Sequence, residues 1–233
     1  MGKLFDKIRR VQDKTRPFCS AIVPAAGSSA RMGGQDKLLA DLYGAPVLMR
    51  TLCAIDRTEL VDEIIVATGS VPRKMPIPGF DKTMTLTELL AEKKPVGDKV
   101  IVFGGGQSGC EAALELVLQG KHPIIVEYAN DLIATPGTCL ANASFLREML
   151  VFKKVPIYLE HSICEIGDGY VMVKPRSGGD AFKVECDSVV NGLGFRPAPV
   201  APAGKHVRQV GTAAKWGNLR NVIWGAWDVC MKI

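Results

Sequence analysis

A glycine-rich turn at residues 104–109 has the residue types and the spacing to bind phosphate groups. It follows the pattern Gly-x-Gly-x-x-Gly and consists of Gly104, Gly105, Gly106, Gln107, Ser108 and Gly109. Between a strand and a helix, the first glycine allows the tight turn and the second lets a pyrophosphate approach the backbone. The third allows close packing of the helix on the strand, and the amide groups at the helix start face the phosphates. The pattern predicts a dinucleotide-binding turn; the alternative is a turn that only connects two elements.

An acidic residue follows this turn at the spacing that a dinucleotide site requires. Glu127 closes the next predicted strand, roughly 20 residues after the turn. A carboxylate at this position accepts hydrogen bonds from the ribose hydroxyls of adenosine and repels a 2′-phosphate. Residues 128–131 contain neither lysine nor arginine that could bind that phosphate. The sequence therefore predicts NADH, rather than NADPH, as the ligand.

A second loop of small residues follows an earlier apolar run. Its candidate nucleotide-binding residues are Ala25, Ala26, Gly27, Ser28, Arg31 and Lys37. Small side chains let the backbone wrap a triphosphate, and the two cations could neutralise charge that develops during nucleotidyl transfer. A surface loop with two solvated cations fits the same spacing, so both interpretations stay open.

These two turns require strands and helices that alternate along the chain. Apolar runs typical of buried strands alternate with stretches of helical periodicity, which predicts an α/β fold: a Rossmann-like parallel sheet with helices on both faces. The predicted strands are Ser20–Pro24, Glu63–Thr68, Val100–Phe103 and Pro123–Glu127. The predicted helices are Pro46–Asp56, Thr85–Glu92 with Thr85 as its cap, Cys110–Leu118, Phe145–Phe152 and a final helix within Asn218–Ile233.

The periodicity changes after residue 155 to short β segments. We predict five of them, at Ile157–Leu159, Ile163–Ile166, Tyr170–Val173, Phe182–Glu185 and Ser188–Asn191. Turn signals at residues 167–169 and 177–180 separate three of these segments. The spacing predicts an antiparallel β meander that lies on the parallel sheet.

Composition and charge exclude several function classes. The 233 residues are 47% hydrophobic and 23% charged, which is typical of a globular protein. No apolar run reaches the ~18 residues of a membrane span. The net charge of +5 is concentrated in residues 1–17 and is not spread over a face, as a nucleic-acid-binding surface would require. In residues 1–17 we expect an amphipathic helix that docks on the body of the protein. Seven widely spaced cysteines and three scattered histidines predict no metal site and no disulfide framework, and favour a reducing cytoplasmic location.

The segment from residue 21 carries the string Ala-Ile-Val-Pro-Ala-Ala-Gly-Ser-Ser-Ala-Arg-Met-Gly, followed by Asp-Lys and then Val-Asp-Glu-Ile-Ile-Val. By these motifs, residues about 19–68 resemble the N-terminus of 2-C-methyl-D-erythritol 4-phosphate cytidylyltransferases. The resemblance implies that the backbone of residues 25–28, together with Arg31 and Lys37, holds CTP. The Asp-x-Ala-Arg-Pro segment, which contacts metal and substrate in that family, does not occur in this sequence.

A second set of motifs runs from residue 66 towards the end of the chain. It consists of Val66-Ala67-Thr68-Gly69-Ser70, the glycine turn, Glu111, Glu127, Leu193-Gly194-Phe195-Arg196-Pro197 and Val210-Gly211. By these motifs, residues about 63–233 resemble the C-terminal FAD/NAD(P)-binding part of NADH:flavin oxidoreductases of the 2-enoate and 2,4-dienoyl-CoA reductase type. The resemblance implies a module that binds NADH and passes a hydride to FAD, with Gly69, Gly194 and Arg196 in the flavin pocket.

The two resemblances meet in the predicted strand Glu63–Thr68, which suggests a recombined or fused chain. We expect a cytidylyltransferase-like segment at 1–68, a linker with a remnant of the FAD-binding domain at 69–98, an NADH-binding domain at 99–193 and a second remnant of the FAD-binding domain at 194–233. The first FAD-binding βαβ unit of the family has no counterpart in this sequence, and Thr212 stands where the family has a flavin-contacting aspartate. We therefore expect a module that is incomplete for turnover. Of its two cofactors, NADH is the one that we expect to bind, and the expectation for FAD is weaker.

Three functions stay open. The leading one is a pyridine-nucleotide-dependent flavin oxidoreductase module that binds NADH, for which no catalytic residue is predicted because the cofactors carry the hydride transfer. The alternatives are a CTP-dependent nucleotidyltransferase of isoprenoid precursor synthesis and a folded chimera without activity. The expected partner is a small dinucleotide, and the sequence predicts no oligomeric state.

Overall fold

The computed structural model describes residues 19–24, 40–58, 61–198 and 207–232, which form two compact units. The first unit comprises the described residues up to Val71 and those from Arg196 onward. The second unit is continuous from Pro72 to Phe195. The expected amphipathic helix in residues 1–17 and the predicted small-residue loop with its two cations lie outside the described residues.

The described elements alternate between strands and helices along the chain. The strands are β1 (Ser20–Pro24), β2 (Glu63–Ala67), β3 (Ser70–Pro72), β4 (Met84–Thr85), β5 (Lys99–Phe103), β6 (His122–Val126), β7 (Ile157–Tyr158), β8 (His161–Ile166), β9 (Tyr170–Pro175), β10 (Phe182–Glu185), β11 (Ser188–Asn191), β12 (Phe195–Pro197) and β13 (Val207–Gln209). The helices are α1 (Val47–Asp56), α2 (Leu86–Leu90), α3 (Gln107–Leu118), α4 (Leu140–Phe152) and α5 (Leu219–Cys230). Short 3₁₀ turns occur at Phe80–Lys82 and Gly211–Ala213.

The first unit contains a three-stranded parallel sheet in the order β1-β2-β13. Leu48 and Leu52, one helical turn apart on α1, pack on a small apolar cluster from β1 and β2. The last helix, α5, begins with a capping box in which Asn218 and Asn221 each accept a hydrogen bond from the other's backbone amide. No residue of α5 is buried.

The second unit is built on a five-stranded parallel sheet in the order β4-β11-β5-β6-β7. Parallel neighbours need a crossover connection, which α3 supplies between β5 and β6 and α4 supplies between β6 and β7. Val100, Ile101 and Val102 of β5 are 0% exposed, because both faces of a central parallel strand are covered. On one face, Val100, Val102 and Ile125 pack against α2, α3 and α4.

The opposite face of this sheet is covered by the antiparallel sheet β8-β9-β10. Ile163, Val171 and Val173 of the antiparallel sheet share a buried cluster with Ile101 and Phe103 of β5. The predicted α/β architecture, with a parallel sheet and an antiparallel meander, is confirmed. The prediction of helices on both faces is corrected for this unit, because the meander occupies one of the two faces.

Two of the five segments predicted for the meander belong to the parallel sheet instead. Ile157–Tyr158 pairs with β6, and Ser188–Asn191 pairs in parallel with β4 and β5. Short apolar runs show no alternation, so their periodicity does not reveal which strand they pair with. Helix α3 also begins earlier than predicted, at Gln107 inside the glycine turn, because Gly106 is its N-cap residue.

Candidate functional site

The glycine turn connects β5 to α3 and lies at the carboxyl end of the parallel sheet. Gly104 has a φ of 110°, a conformation that L side chains rarely adopt. Its amide donates a hydrogen bond of 2.8 Å to the Val126 carbonyl, and a Cβ atom at this position would lie 2.6 Å from the Gly192 carbonyl oxygen. The first position of the turn therefore requires glycine.

The other glycines of the turn differ in the space around them. A Cβ atom at Gly109 would lie 2.1 Å from the Gly104 carbonyl oxygen, so this glycine allows α3 to approach the turn closely. A Cβ atom at Gly105 would lie 2.5 Å from Cδ2 of Leu132. At Gly106, apart from its chain neighbours, such an atom would have nothing within 4 Å. The turn is therefore open at Gly106, the position at which the sequence predicts the approach of a pyrophosphate.

The N-terminus of α3 is not capped by a side chain. Gly106 is the N-cap residue, no side chain accepts a hydrogen bond from the first amides, and the first turn contains no acidic residue. The Gln107 side-chain amide bonds the Glu111 carboxylate at 2.9 Å, and Ser108 is exposed. Uncapped amide groups at the positive end of a helix dipole suit an anionic ligand.

The Glu127 carboxylate faces the glycine turn. Its Oε2 accepts a hydrogen bond from the Gly105 amide, and its Oε1 accepts one of 2.7 Å from the Ala129 amide. The backbone of Glu127 is fixed by hydrogen bonds of 2.9 Å to Tyr158 and from His161. The second unit therefore brings together the two features that the sequence selected, the turn at 104–109 and the acid that follows it.

Arg176 contacts Tyr128, the residue that follows Glu127, and the sequence did not predict this contact. Its guanidinium carbon lies 4.8 Å from the centroid of the Tyr128 ring, within the range of a cation–π interaction. Tyr128 directly follows Glu127, whereas Arg176 follows β9. The contact depends on where the meander packs, so no local pattern could have revealed it.

Cys110 lies beside the turn, in the first turn of α3, and is fully buried. Burial raises the pKa of its thiol to about 12, and the nearby Glu127 charge acts in the same direction. The thiol donates a hydrogen bond of 3.3 Å to the Gly105 carbonyl. Because a neutral thiol is a weak nucleophile and a weak metal ligand, we assign Cys110 a packing role.

The predicted flavin-pocket residues are divided between the two units. Gly69 and Arg196 belong to the first unit and Gly194 to the second, and both glycines have a φ of 79°. In the first unit the Gly69 carbonyl accepts a hydrogen bond of 3.3 Å from the Ala198 amide, and in the second the Gly194 carbonyl accepts one of 3.0 Å from the Arg73 amide. The predicted CTP-binding residues Ala25, Ala26, Gly27, Ser28, Arg31 and Lys37 lie outside the described ranges.

The part of the chain that the structure describes offers few other candidate sites. There, no three histidine, cysteine, aspartate or glutamate side chains lie close enough to hold a metal ion. None of the described helices combines the length and the apolar character needed to cross a membrane. A surface cleft of about 640 Å³, lined by residues of α2 and α3, contains no residue of the glycine turn.

Comparisons with known proteins reveal two separate similarities. The family model described as pyridine nucleotide-disulphide oxidoreductase matches residues 46–219. Cinnamate reductase of Clostridium sporogenes is 36% identical over 179 residues, which cover 74% of this chain and 26% of that protein. The 2-C-methyl-D-erythritol 4-phosphate cytidylyltransferase of Symbiobacterium thermophilum is 51% identical over 53 residues, or 22% of each protein. The two-part resemblance predicted from the sequence is confirmed.

A solved structure shares the fold. The complex of 2-naphthoyl-CoA reductase with 2-naphthoyl-CoA matches with a TM-score of 0.64 at 24% identity, over 74% of this chain and 27% of that chain. At this identity the similarity concerns the fold alone. The present chain spans only 26% of the length of cinnamate reductase.

Proposed function

The chain belongs to the pyridine nucleotide-disulphide oxidoreductase family, and on that premise we propose that it binds NADH at the glycine turn of its second unit. Among the cofactors of the family, NAD(H) has the stronger support, and FAD is the second. The observation that carries the proposal is the hydrogen bond from the Gly105 amide to the Glu127 carboxylate. It joins the phosphate-binding turn and the ribose-binding acid in one site.

The residues present fit the dinucleotide. The open space at Gly106 admits a pyrophosphate close to the backbone, and the uncapped amides of α3 would bind its oxygens. The Glu127 carboxylate would accept hydrogen bonds from the ribose hydroxyls. The nicotinamide, when bound, supplies a hydride, so no side chain of this site is required to transfer a proton.

We propose that the flavin pocket is incomplete for turnover. In the flavin oxidoreductases that the chain resembles, an aspartate follows the glycine at the position of Gly211, and here Thr212 follows it. A threonine hydroxyl cannot supply the carboxylate that this contact requires. We therefore expect NADH binding without stoichiometric flavin, and flavin absorption bands in the purified protein would contradict this part of the proposal alone.

Titration with NADH tests the binding site itself. Gly106→Ala puts a methyl group into the open space without a clash in the fold, so NADH affinity should fall by about tenfold or more, while the unfolding free energy should fall by no more than about 1 kcal/mol, the effect of a weaker N-cap residue. Gly225→Ala is the matched control, because its added methyl group also has open space around it, apart from its chain neighbours and the backbone of its own helix, α5. It should leave the affinity unchanged. Absence of NADH binding to the unsubstituted chain at millimolar concentration overturns the proposal.

A further inference from the structure

Arg176 places a positive charge beside Tyr128, the residue that follows Glu127. Its guanidinium lies over the ring of Tyr128, 4.8 Å from the centroid, and 58% of Tyr128 is exposed. Hydrogen bonds anchor the backbone of residue 176 here, because the Arg176 amide donates one of 2.7 Å to the Glu160 carbonyl and the Glu160 amide donates one of 2.9 Å to the Ala129 carbonyl. Arg176 is therefore tied to the two residues that follow the acid.

The chemistry of a guanidinium suits one particular variant of the dinucleotide. A 2′-phosphate on the adenosine ribose would lie near Glu127, whose charge repels it, and a nearby arginine is the usual means of accommodating it. Arginine stays protonated and offers planar N–H donors that match phosphate oxygens. The contact with Tyr128 holds the guanidinium beside the residue that follows Glu127, where its N–H groups would donate to phosphate oxygens of a ligand.

The neighbouring cation is already engaged. Arg147 pairs with Asp131 at 2.9 Å and donates hydrogen bonds to the Leu132 carbonyl. It holds the segment that packs beside Gly105 in place. The Arg147 guanidinium is therefore engaged by groups of the fold itself, whereas the Arg176 side chain is exposed.

We infer that Arg176 determines the coenzyme specificity by binding the 2′-phosphate, so that the site accepts NADPH as well as NADH. This inference rests on the proposed function of the glycine turn. It departs from the sequence-based expectation, which considered only basic residues adjacent to Glu127 in the chain. Arg176 would offset the repulsion between Glu127 and the 2′-phosphate from the turn after β9, which is distant in sequence.

Dissociation constants for NADH and NADPH, measured on the full chain, test the inference. Arg176→Ala should weaken NADPH binding by about tenfold or more, the effect of one charge-assisted hydrogen-bonded contact, and should change NADH binding by less than about twofold. Arg176→Lys keeps the charge but not the planar donors, so it should restore part of the NADPH affinity. Lys174→Ala is the matched control, since it removes an exposed positive charge near the end of β9, two residues before Arg176, and should alter neither affinity.

The possible outcomes separate this inference from the proposed function. If the chain binds NADH but not NADPH, the inference is overturned and the proposed function stands. An equal loss of affinity for both coenzymes in Arg176→Ala also overturns it, because the side chain then contacts the adenosine or supports the fold. If Lys174→Ala weakens NADPH binding as much as Arg176→Ala does, the effect of Arg176 is that of any nearby positive charge, and the inference is overturned. If neither coenzyme binds, both the proposed function and the inference fail.

Discussion

At the scale of single residues, the charge of Glu127 and its structural role can be separated by substitution. The carboxylate accepts hydrogen bonds from the Gly105 and Ala129 amides, so removing it leaves two backbone donors without that partner. Glu127→Gln loses the charge and keeps one acceptor oxygen, so one of the two backbone amides loses its partner. Glu127→Ala loses both, and an unsatisfied buried donor costs about 1–3 kcal/mol.

We therefore expect different results from the two substitutions. Glu127→Gln should lower the unfolding free energy by less than Glu127→Ala does, because it keeps one of the two acceptors, and should weaken NADH binding by about tenfold, because charged hydrogen bonds are the stronger ones. Glu127→Ala should lower both the affinity and the unfolding free energy, the latter by about 1–3 kcal/mol. Titration and urea unfolding measure the two effects, with Glu115→Gln on α3 as the control for loss of a carboxylate. Equal NADH affinity in Glu127→Gln and the unsubstituted chain would exclude a ribose contact.

At the scale of elements, α2 shows how one cap stabilises a helix of five residues. The predicted cap Thr85 is confirmed: its hydroxyl accepts a hydrogen bond from the Glu88 amide at 3.2 Å, and the Glu88 carboxylate accepts one from the Thr85 amide at 2.8 Å. Lys94 bonds the same carboxylate. These partners, with Lys94 first and Thr85 second, lower the pKa of Glu88 to about 2.

This lowered pKa predicts the pH range in which the cap contributes. A carboxyl group whose pKa falls on folding stabilises the native state above its ordinary value of 4.5, and loses that effect as the pH falls towards about 2. The unfolding free energy should therefore decline over this range more steeply than in Glu88→Gln. Thr85→Ala should cost about 1 kcal/mol at neutral pH, whereas Thr87→Ala, at an exposed position on the same helix, should cost less. Parallel pH profiles of the unsubstituted chain and Glu88→Gln would contradict the assignment.

The same elements show what local sequence can and cannot predict. The turn at 104–109, the acid Glu127 and the cap Thr85 depend on backbone conformation and short spacings, which residue types reveal directly. The pairing of Ser188–Asn191 with β5 and the stacking of Arg176 on Tyr128 depend on contacts between distant segments. Apolar runs buried on both faces leave those partners undetermined until the chain is folded.

At the scale of the whole molecule, the two units differ in how the chain forms them. The second unit is one continuous segment, from Pro72 to Phe195, and holds two extensive apolar clusters on the two faces of its parallel sheet. The described part of the first unit comes from separate segments and has a smaller cluster around α1 and β2. The features that we assign to coenzyme binding, from the glycine turn to Arg176, all belong to the continuous unit.

This division predicts that residues 72–195 fold and bind NADH without the rest of the chain. This segment has its own buried core and contains all the residues that we assign to the coenzyme site, so neither should depend on the first unit. Expressed alone, it should unfold cooperatively in urea and bind NADH within about threefold of the full chain. Gly106→Ala should weaken binding to the segment as it does in the full chain. A segment that unfolds cooperatively but does not bind NADH, although the full chain does, would contradict this prediction, because an intact core would then lack the binding that we assign to it.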